Sequence, residues 1–181
     1  MKKIFLALLT LGLLGCPTDK DPVVTDAGTN PVIDASDVIV CDEDAATPVT
    51  KDNWQLVLPA GWVEQTQFPN SQNVALLAAN EKDEGLFLLT KEPYTDSFDE
   101  FAIETIRGLR DQGADILTTS SVPLGDEQFV YVNSKQDSLV TDTWLTVKDG
   151  SGYSLNCGAL EDNYGKLSKD CQDIFSSFKV E

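Results

Sequence analysis

The sequence predicts an α+β domain, an antiparallel sheet covered by two main helices, preceded by a disordered tether. Three observations carry this. Two segments, 97–112 and 166–179, space their apolar residues as one face of a helix. Short apolar runs bounded by turn residues fill the rest of 51–181. All three Trp and all four Tyr lie in that stretch, whereas 17–50 holds no aromatic residue.

Trp54-Gln-Leu-Val-Leu58 reads as a strand, closed by a turn at Pro59-Ala-Gly61. Trp62 to Gln67 reads as a second strand. Val74–Ala79 and Leu86–Thr90 are apolar runs split by a hairpin-type loop, Asn80 to Gly85. Their continuous hydrophobicity implies a sheet covered on both faces or by a helix. Ser97 to Gln112 is the clearest helix: Ser97 and Glu100 have capping-box spacing. Phe98, Phe101, Ala102, Ile106 and Leu109 share a face, and Gly113 stops the helix. Arg107 and Asp111 stand at i,i+4, a spacing of surface support.

Strands resume at Asp115–Val122, Glu127–Asn133, Leu139–Val147 and Gly152–Cys157. Lys148-Asp-Gly-Ser-Gly152 is a hairpin signal. It is not a phosphate loop, because no Gly-Lys-Ser/Thr follows and it leads into a strand. The closing helix, about Lys166 to Lys179, aligns Leu167, Cys171, Ile174, Phe175 and Phe178. A sheet apolar on both faces must bury both, and two amphipathic helices are available to do so.

Upstream of this domain the chain changes character. Lys2 and Lys3 precede a twelve-residue apolar run, Ile4 to Gly15, which is a secretory signal too short to span a bilayer of roughly 20 helical residues. The run ends Leu13-Leu14-Gly15-Cys16, which resembles a bacterial lipobox. The resemblance implies cleavage between Gly15 and Cys16, with a lipid anchor on Cys16; an ordinary cleaved signal is the alternative. More than one acyl chain anchors stably. Pro17 rather than Asp follows Cys16, which in such lipoproteins leans toward the outer membrane.

Residues 17–50 carry eight acids against Lys20 alone. Low hydrophobicity and net negative charge cannot offset chain entropy, so this linker reads as a disordered tether with an r.m.s. reach of about 30 Å. Asp42-Glu43-Asp44 lacks the alternating ligands, central Gly and terminal Glu of a Ca²⁺ loop, and reads as a solvated run. The expected organisation is a signal at 1–15, lipidated Cys16 and acidic linker at 16–50, and one domain at 51–181.

With Cys16 taken by lipid, Cys41, Cys157 and Cys171 remain in an oxidising compartment. Cys157 falls on the last strand and Cys171 on the apolar face of the helix that packs back on it. A bridge between them would contribute about 3 kcal/mol by loop closure; the alternative is two buried thiols. Cys41 is then odd, either free or paired with another chain.

The pieces WQLVLPAGW, FDEFAIETIRGLRDQGADIL, GYSLNCGA and IFSSFKV, in this element order, are similar to the PsbP-like α/β/α sandwich. That family includes the photosystem accessory protein PsbP and the DcrB-like bacterial envelope lipoproteins. The resemblance spans roughly 52–180. Its "Leu-Pro-x-Gly-Trp" turn is matched by Leu58, Pro59, Gly61 and Trp62, and its closing "Ser-Phe" by Ser177 and Phe178. It implies partner binding rather than chemistry, and transfers no specific partner.

Composition narrows function further. The chain has 13 Lys+Arg, 30 Asp+Glu and no His, a formal net charge of −17. Without His there is no Ser-His or Cys-His nucleophile and no HExxH zinc site. Such acidity disfavours nucleic acid and anionic lipid as charge partners. Acids are plentiful, but nothing in the spacing puts two of them in one cleft. The expectation is therefore no enzyme, no cofactor and no metal. The chain reads as a lipid-anchored envelope module that binds an unidentified envelope protein. The alternative is a small-ligand or lipid binder with a pocket between sheet and helix, where Trp54, Trp62 and Trp144 would line the cavity or else fill the core.

Overall fold

Tight turns set the architecture. The computed structural model describes residues 45–66, 73–125 and 127–181. Between Lys148 and Ser151 the chain reverses in two residues, Asp149 at φ 50° and Gly150 at φ 73°. Two successive positive φ values match the right-handed strand twist, which is why Asp-Gly suits this hairpin. They join β8 (Leu139–Lys148) to β9 (Ser151–Leu160) in continuous antiparallel register, Leu139 opposite Leu160. Asp137 at φ 54° opens an equally short turn from β7 (Glu127–Gln136) into β8.

In chain order the earlier elements are β1 (Thr47–Lys51), β2 (Trp54–Leu58), β3 (Val63–Glu64), β4 (Val74–Asn80), β5 (Gly85–Pro93), α1 (Phe98–Asp111) and β6 (Asp115–Leu124). After β9 come α2 (Glu161–Ser177) and β10 (Lys179–Val180). A seven-stranded sheet runs β3-β4-β5-β9-β8-β7-β6, and a three-stranded sheet runs β1-β2-β10. Every pairing is antiparallel.

The large sheet buries both faces, as its apolar runs require. On one face α1 lays Phe101 and Ala102 over Val132 and Leu145, with Ile106, Leu109 and Val130 around them. Gly152 makes this approach possible: a Cβ there would sit 2.6 Å from the Phe101 ring. On the other face α2 inserts Leu167, Cys171, Ile174 and Phe175 against Phe87, Trp144, Leu155 and Cys157. The small sheet closes that side with Trp54, Leu56, Leu58 and Val180. The result is an α+β fold of two helices on a large antiparallel sheet.

Helix α1 forms as its capping box predicts. The Ser97 hydroxyl accepts from the Glu100 amide, and the Glu100 carboxylate accepts from the Ser97 amide. Gly113, at φ 91°, follows its C-terminus. The Arg107–Asp111 ion pair is not among the salt bridges of the described residues.

Four differences from the sequence reading have physical causes. Strand β1 takes in Thr47–Thr50, which composition places in the tether; only Val49 is buried there, too little apolar signal to find a strand. The strand after Trp62 amounts to Val63–Glu64, and Gln67 lies outside the described residues. Helix α2 starts at Glu161, five residues early, through Asn163 and Gly165, both weak helix formers. It ends at Ser177, after which Lys179 and Val180 pair with Gln55 and Trp54 instead of extending the helix.

Candidate interaction surface

Gly15, Cys16 and Cys41 lie outside the described residues. Cys157 on β9 and Cys171 on α2 form a disulfide with Cα atoms 5.6 Å apart, as their placement on facing elements implies. The three tryptophans do not line a pocket between sheet and helix. Trp54, Trp62 and Trp144 are buried in the core itself. Trp144 stacks on Phe175 at 5.2 Å and tilts against Phe129 at 5.4 Å, so the space a ligand would need holds aromatic rings. The Trp62 indole donates to Asp170 Oδ2 at 3.0 Å, which gives its polar edge a partner at the core boundary.

The sequence reading missed a polar centre on the same face. Asp142 is 3% exposed, on β8. Its Oδ1 accepts from the Tyr131 hydroxyl at 2.6 Å and from Asn133 Nδ2 at 2.9 Å, and its Oδ2 accepts from the Tyr164 hydroxyl at 2.7 Å. Three donors from β7 and α2 thus converge on one carboxyl group, which offsets the cost of removing it from water. Burial, and then the hydrogen bond to Asp142, push both tyrosines well above the usual phenol range. The cluster holds protons tightly and links α2 to the sheet. Among the described residues no group of three or more His, Cys, Asp or Glu side chains gathers here or elsewhere to hold a metal ion. Its signal was the alternation Val140, Asp142, Trp144: a carboxyl in the inward slot of an otherwise apolar strand face.

At the far end of the sheet, Phe98, Leu124, Gln128, Lys148, Ser176 and Lys179 border a cleft of about 680 Å³. The Lys148 ammonium pairs with Glu127 and donates to the Val180 carbonyl at 2.8 Å. The Glu127 hydrogen bond raises the lysine pKa.

The third feature is the edge of the large sheet. Strand β6 spans ten residues and, among the described residues, pairs only with β7. Alternate residues of an edge strand point their N–H and C=O groups away from the ladder. Among the described residues nothing else hydrogen-bonds to β6. A register shift between Ile116 and Thr118 kinks one end, and Pro123 lies near the other. Thr118–Ser121 between them are exposed.

Beside this edge, Ile103, Ile106, Arg107 and Arg110 stand at i, i+3, i+4 and i+7 on α1 and form one stripe. With Asp111 and Thr119 they line a cleft of about 370 Å³. Thr119 is opposite Val132, a residue of the α1 core, so it faces the helix side. Ile103 is 54% exposed and Leu117 is 55% exposed, the largest apolar exposures here after Val63. Arg107 and Arg110 are the only arginines in the chain. Neither has a carboxylate within ion-pair distance among the described residues.

No protein-family model and no curated protein matches this sequence. Solved structures do resemble it. The solution structure of cyanobacterial PsbP (CyanoP) from Synechocystis sp. PCC 6803 superposes with a TM-score of 0.61 at 12% identity. That match covers 85% of this chain and 98% of CyanoP. LpqN, described as involved in cell envelope biogenesis of Mycobacterium tuberculosis, matches at TM-score 0.51 and 16% identity, over 75% of this chain and 90% of LpqN. A Bacteroides thetaiotaomicron structure matches at TM-score 0.50 and 14% identity, over 71% of this chain and 45% of its own. At such identities the likeness concerns the fold, and the fold is PsbP-like.

Proposed function

We propose that this chain is a bacterial envelope lipoprotein, anchored through lipid on Cys16, whose PsbP-like domain binds another envelope protein without catalysing a reaction. The observation that carries the binding reading is the open edge of β6 beside the Ile103–Arg110 stripe. Among the described residues it joins unpaired backbone, exposed apolar side chains and two arginines without ion-pair partners, on an otherwise acidic domain. Edges and apolar patches of this kind are the usual material of protein recognition. The lipobox and acidic linker support a membrane-tethered setting.

A photo-crosslinking residue placed at Thr119 in the full chain, in its own cells, tests this. A discrete heteromeric product, absent when the crosslinker is placed at exposed Lys166, is the expected result. Products that are identical at both positions would sink it. The anchor is tested apart: Cys16→Ser should move the protein from the membrane pellet to the soluble fraction.

The ligand-binding alternative relocates from the tryptophans to the 680 Å³ cleft, whose border mixes Phe98 and Phe178 with Lys148 and Lys179. Native mass spectrometry of protein purified from its own membrane would show a bound small molecule if this is right, and bare protein if it is wrong.

A further inference from the structure

We infer that the β6 edge takes up an extended acidic segment of a partner protein as an eighth strand of the large sheet, with Arg107 and Arg110 pairing carboxylates on alternate residues of that segment. This rests on the protein-binding reading above and specifies its mode.

The geometry on β6 defines the guest. The kink at Ile116/Thr118 and Pro123 confine the regular open edge to 118–122. Five residues match the commonest strand length, and their exposed side chains Thr-Thr-Ser-Ser bring no charge to repel a guest. A strand added there hydrogen-bonds through its backbone, and its side chains alternate between the two sheet faces. On the α1 side, every second guest residue meets the cleft floored by Ile103 and Ile106 and flanked by the two arginines. Carboxylates two apart on an extended chain are about 6.7 Å apart. Side chains three apart on a helix start about 5–6 Å apart, so two long arginines can each reach one carboxylate.

Charge decides the kind of guest. The domain from 51 onward carries 22 acids against 10 bases, yet both arginines lie at this edge without an ion-pair partner among the described residues. Guanidinium groups form bidentate pairs with carboxylates, which lysines do not. Asp111 shares the cleft with the two arginines, so the guest's carboxylates belong over the arginine stripe and away from Asp111. A second copy of this domain is a poor guest, since its own edge would bring the same two cations to face these.

The probe is a fluorescein-labelled ten-residue peptide alternating valine with glutamate, added to the full chain and followed by anisotropy and backbone hydrogen exchange. Binding is expected, together with slowed exchange of amides within 118–122. Arg107→Glu/Arg110→Glu should weaken it by about ten-fold or more. Lys166→Glu/Lys169→Glu makes the same charge change on exposed α2 positions and should alter it by less than about two-fold.

Equal loss in both double variants, unchanged exchange in 118–122, or no binding of the probe would each overturn the inference. So would sedimentation showing β6-dependent dimers of the wild-type protein. If the probe fails while the Thr119 crosslink still finds a partner, the edge mode falls and the protein-binding reading stands. If the probe binds and no partner crosslinks in cells, the edge is able to take an acidic strand, but the protein-binding reading falls and the partner assignment falls with it.

Discussion

Asp142 shows how one buried polar residue can organise two elements. Its carboxyl group is reached by Tyr131 and Asn133 from β7 and by Tyr164 from α2. Removing the acceptor strands three donors in a partly dry site. Asp142→Ala should therefore cost about 3 kcal/mol in urea unfolding, whereas Tyr164→Phe, which deletes one donor, should cost about 1 kcal/mol. A near-equal loss in the two variants would contradict this ordering.

The same cluster sets an alkaline limit. In the unfolded chain both phenols ionise near the ordinary tyrosine value of about 10. In the fold they ionise well above it, because burial and Asp142 disfavour phenolate. Between those limits the native state binds more protons than the unfolded state, so stability falls as pH rises. The contribution is fully present below pH 10 and is lost progressively above it. Tyrosinate absorbance should show Tyr131 and Tyr164 ionising only as the domain unfolds. A Tyr131→Phe/Tyr164→Phe double variant should lose less stability than wild type over the same interval.

At the scale of elements, legibility followed the local strength of each signal. Helix α1 was readable to within a residue, because a capping box and a following glycine mark both ends. The β8–β9 hairpin was readable from Asp149-Gly150 alone. Helix α2 was readable only from Lys166 onward. Its first turn has no side-chain cap, and Gly165 lowers its propensity. Tertiary links, Tyr164 to Asp142 and Lys135 to Glu161, hold that turn instead, and such links leave no mark in a local pattern. The short strands β1, β3 and β10 exist through pairing rather than composition. The open edge was invisible for the same reason: β6 reads as a strand, but nothing in its own residues tells that it has a single neighbour among the described residues.

The disulfide belongs to this scale because it ties β9 to the middle of α2, beside Leu167 and Ile174. Cys157→Ala/Cys171→Ala should lower stability by about 3 kcal/mol, the loop-closure value for a loop of this length. Reducing agent should destabilise wild type by a similar amount and leave the double variant unchanged. The pair is fully buried, so reduction should require unfolding. A reductant effect as fast as thiol exchange at an exposed bridge would refute that.

For the whole molecule, the large sheet ends in two different ways. At one end β3 is only two residues long, too short to template another chain. At the other, β6 is ten residues long and is restrained by a register shift, by Pro123 and by the domain's negative charge. These are the devices by which proteins keep a sheet edge from pairing with copies of itself. They act differently: the kink and the proline limit how much edge is open, while like charge keeps copies apart at a distance. Pro123→Val removes one restraint and lengthens the regular edge toward Leu124. At low salt the like-charged domains should still keep this variant monomeric. At about 1 M salt the Debye length falls to about 3 Å, and the variant should then self-associate in sedimentation equilibrium while wild type stays monomeric. Adding Thr119→Lys to the variant should restore the monomer by placing a charge on the edge. Dimers of wild type under the same conditions, or an indifference of the variant to salt, would show that the edge is governed by something other than these two restraints.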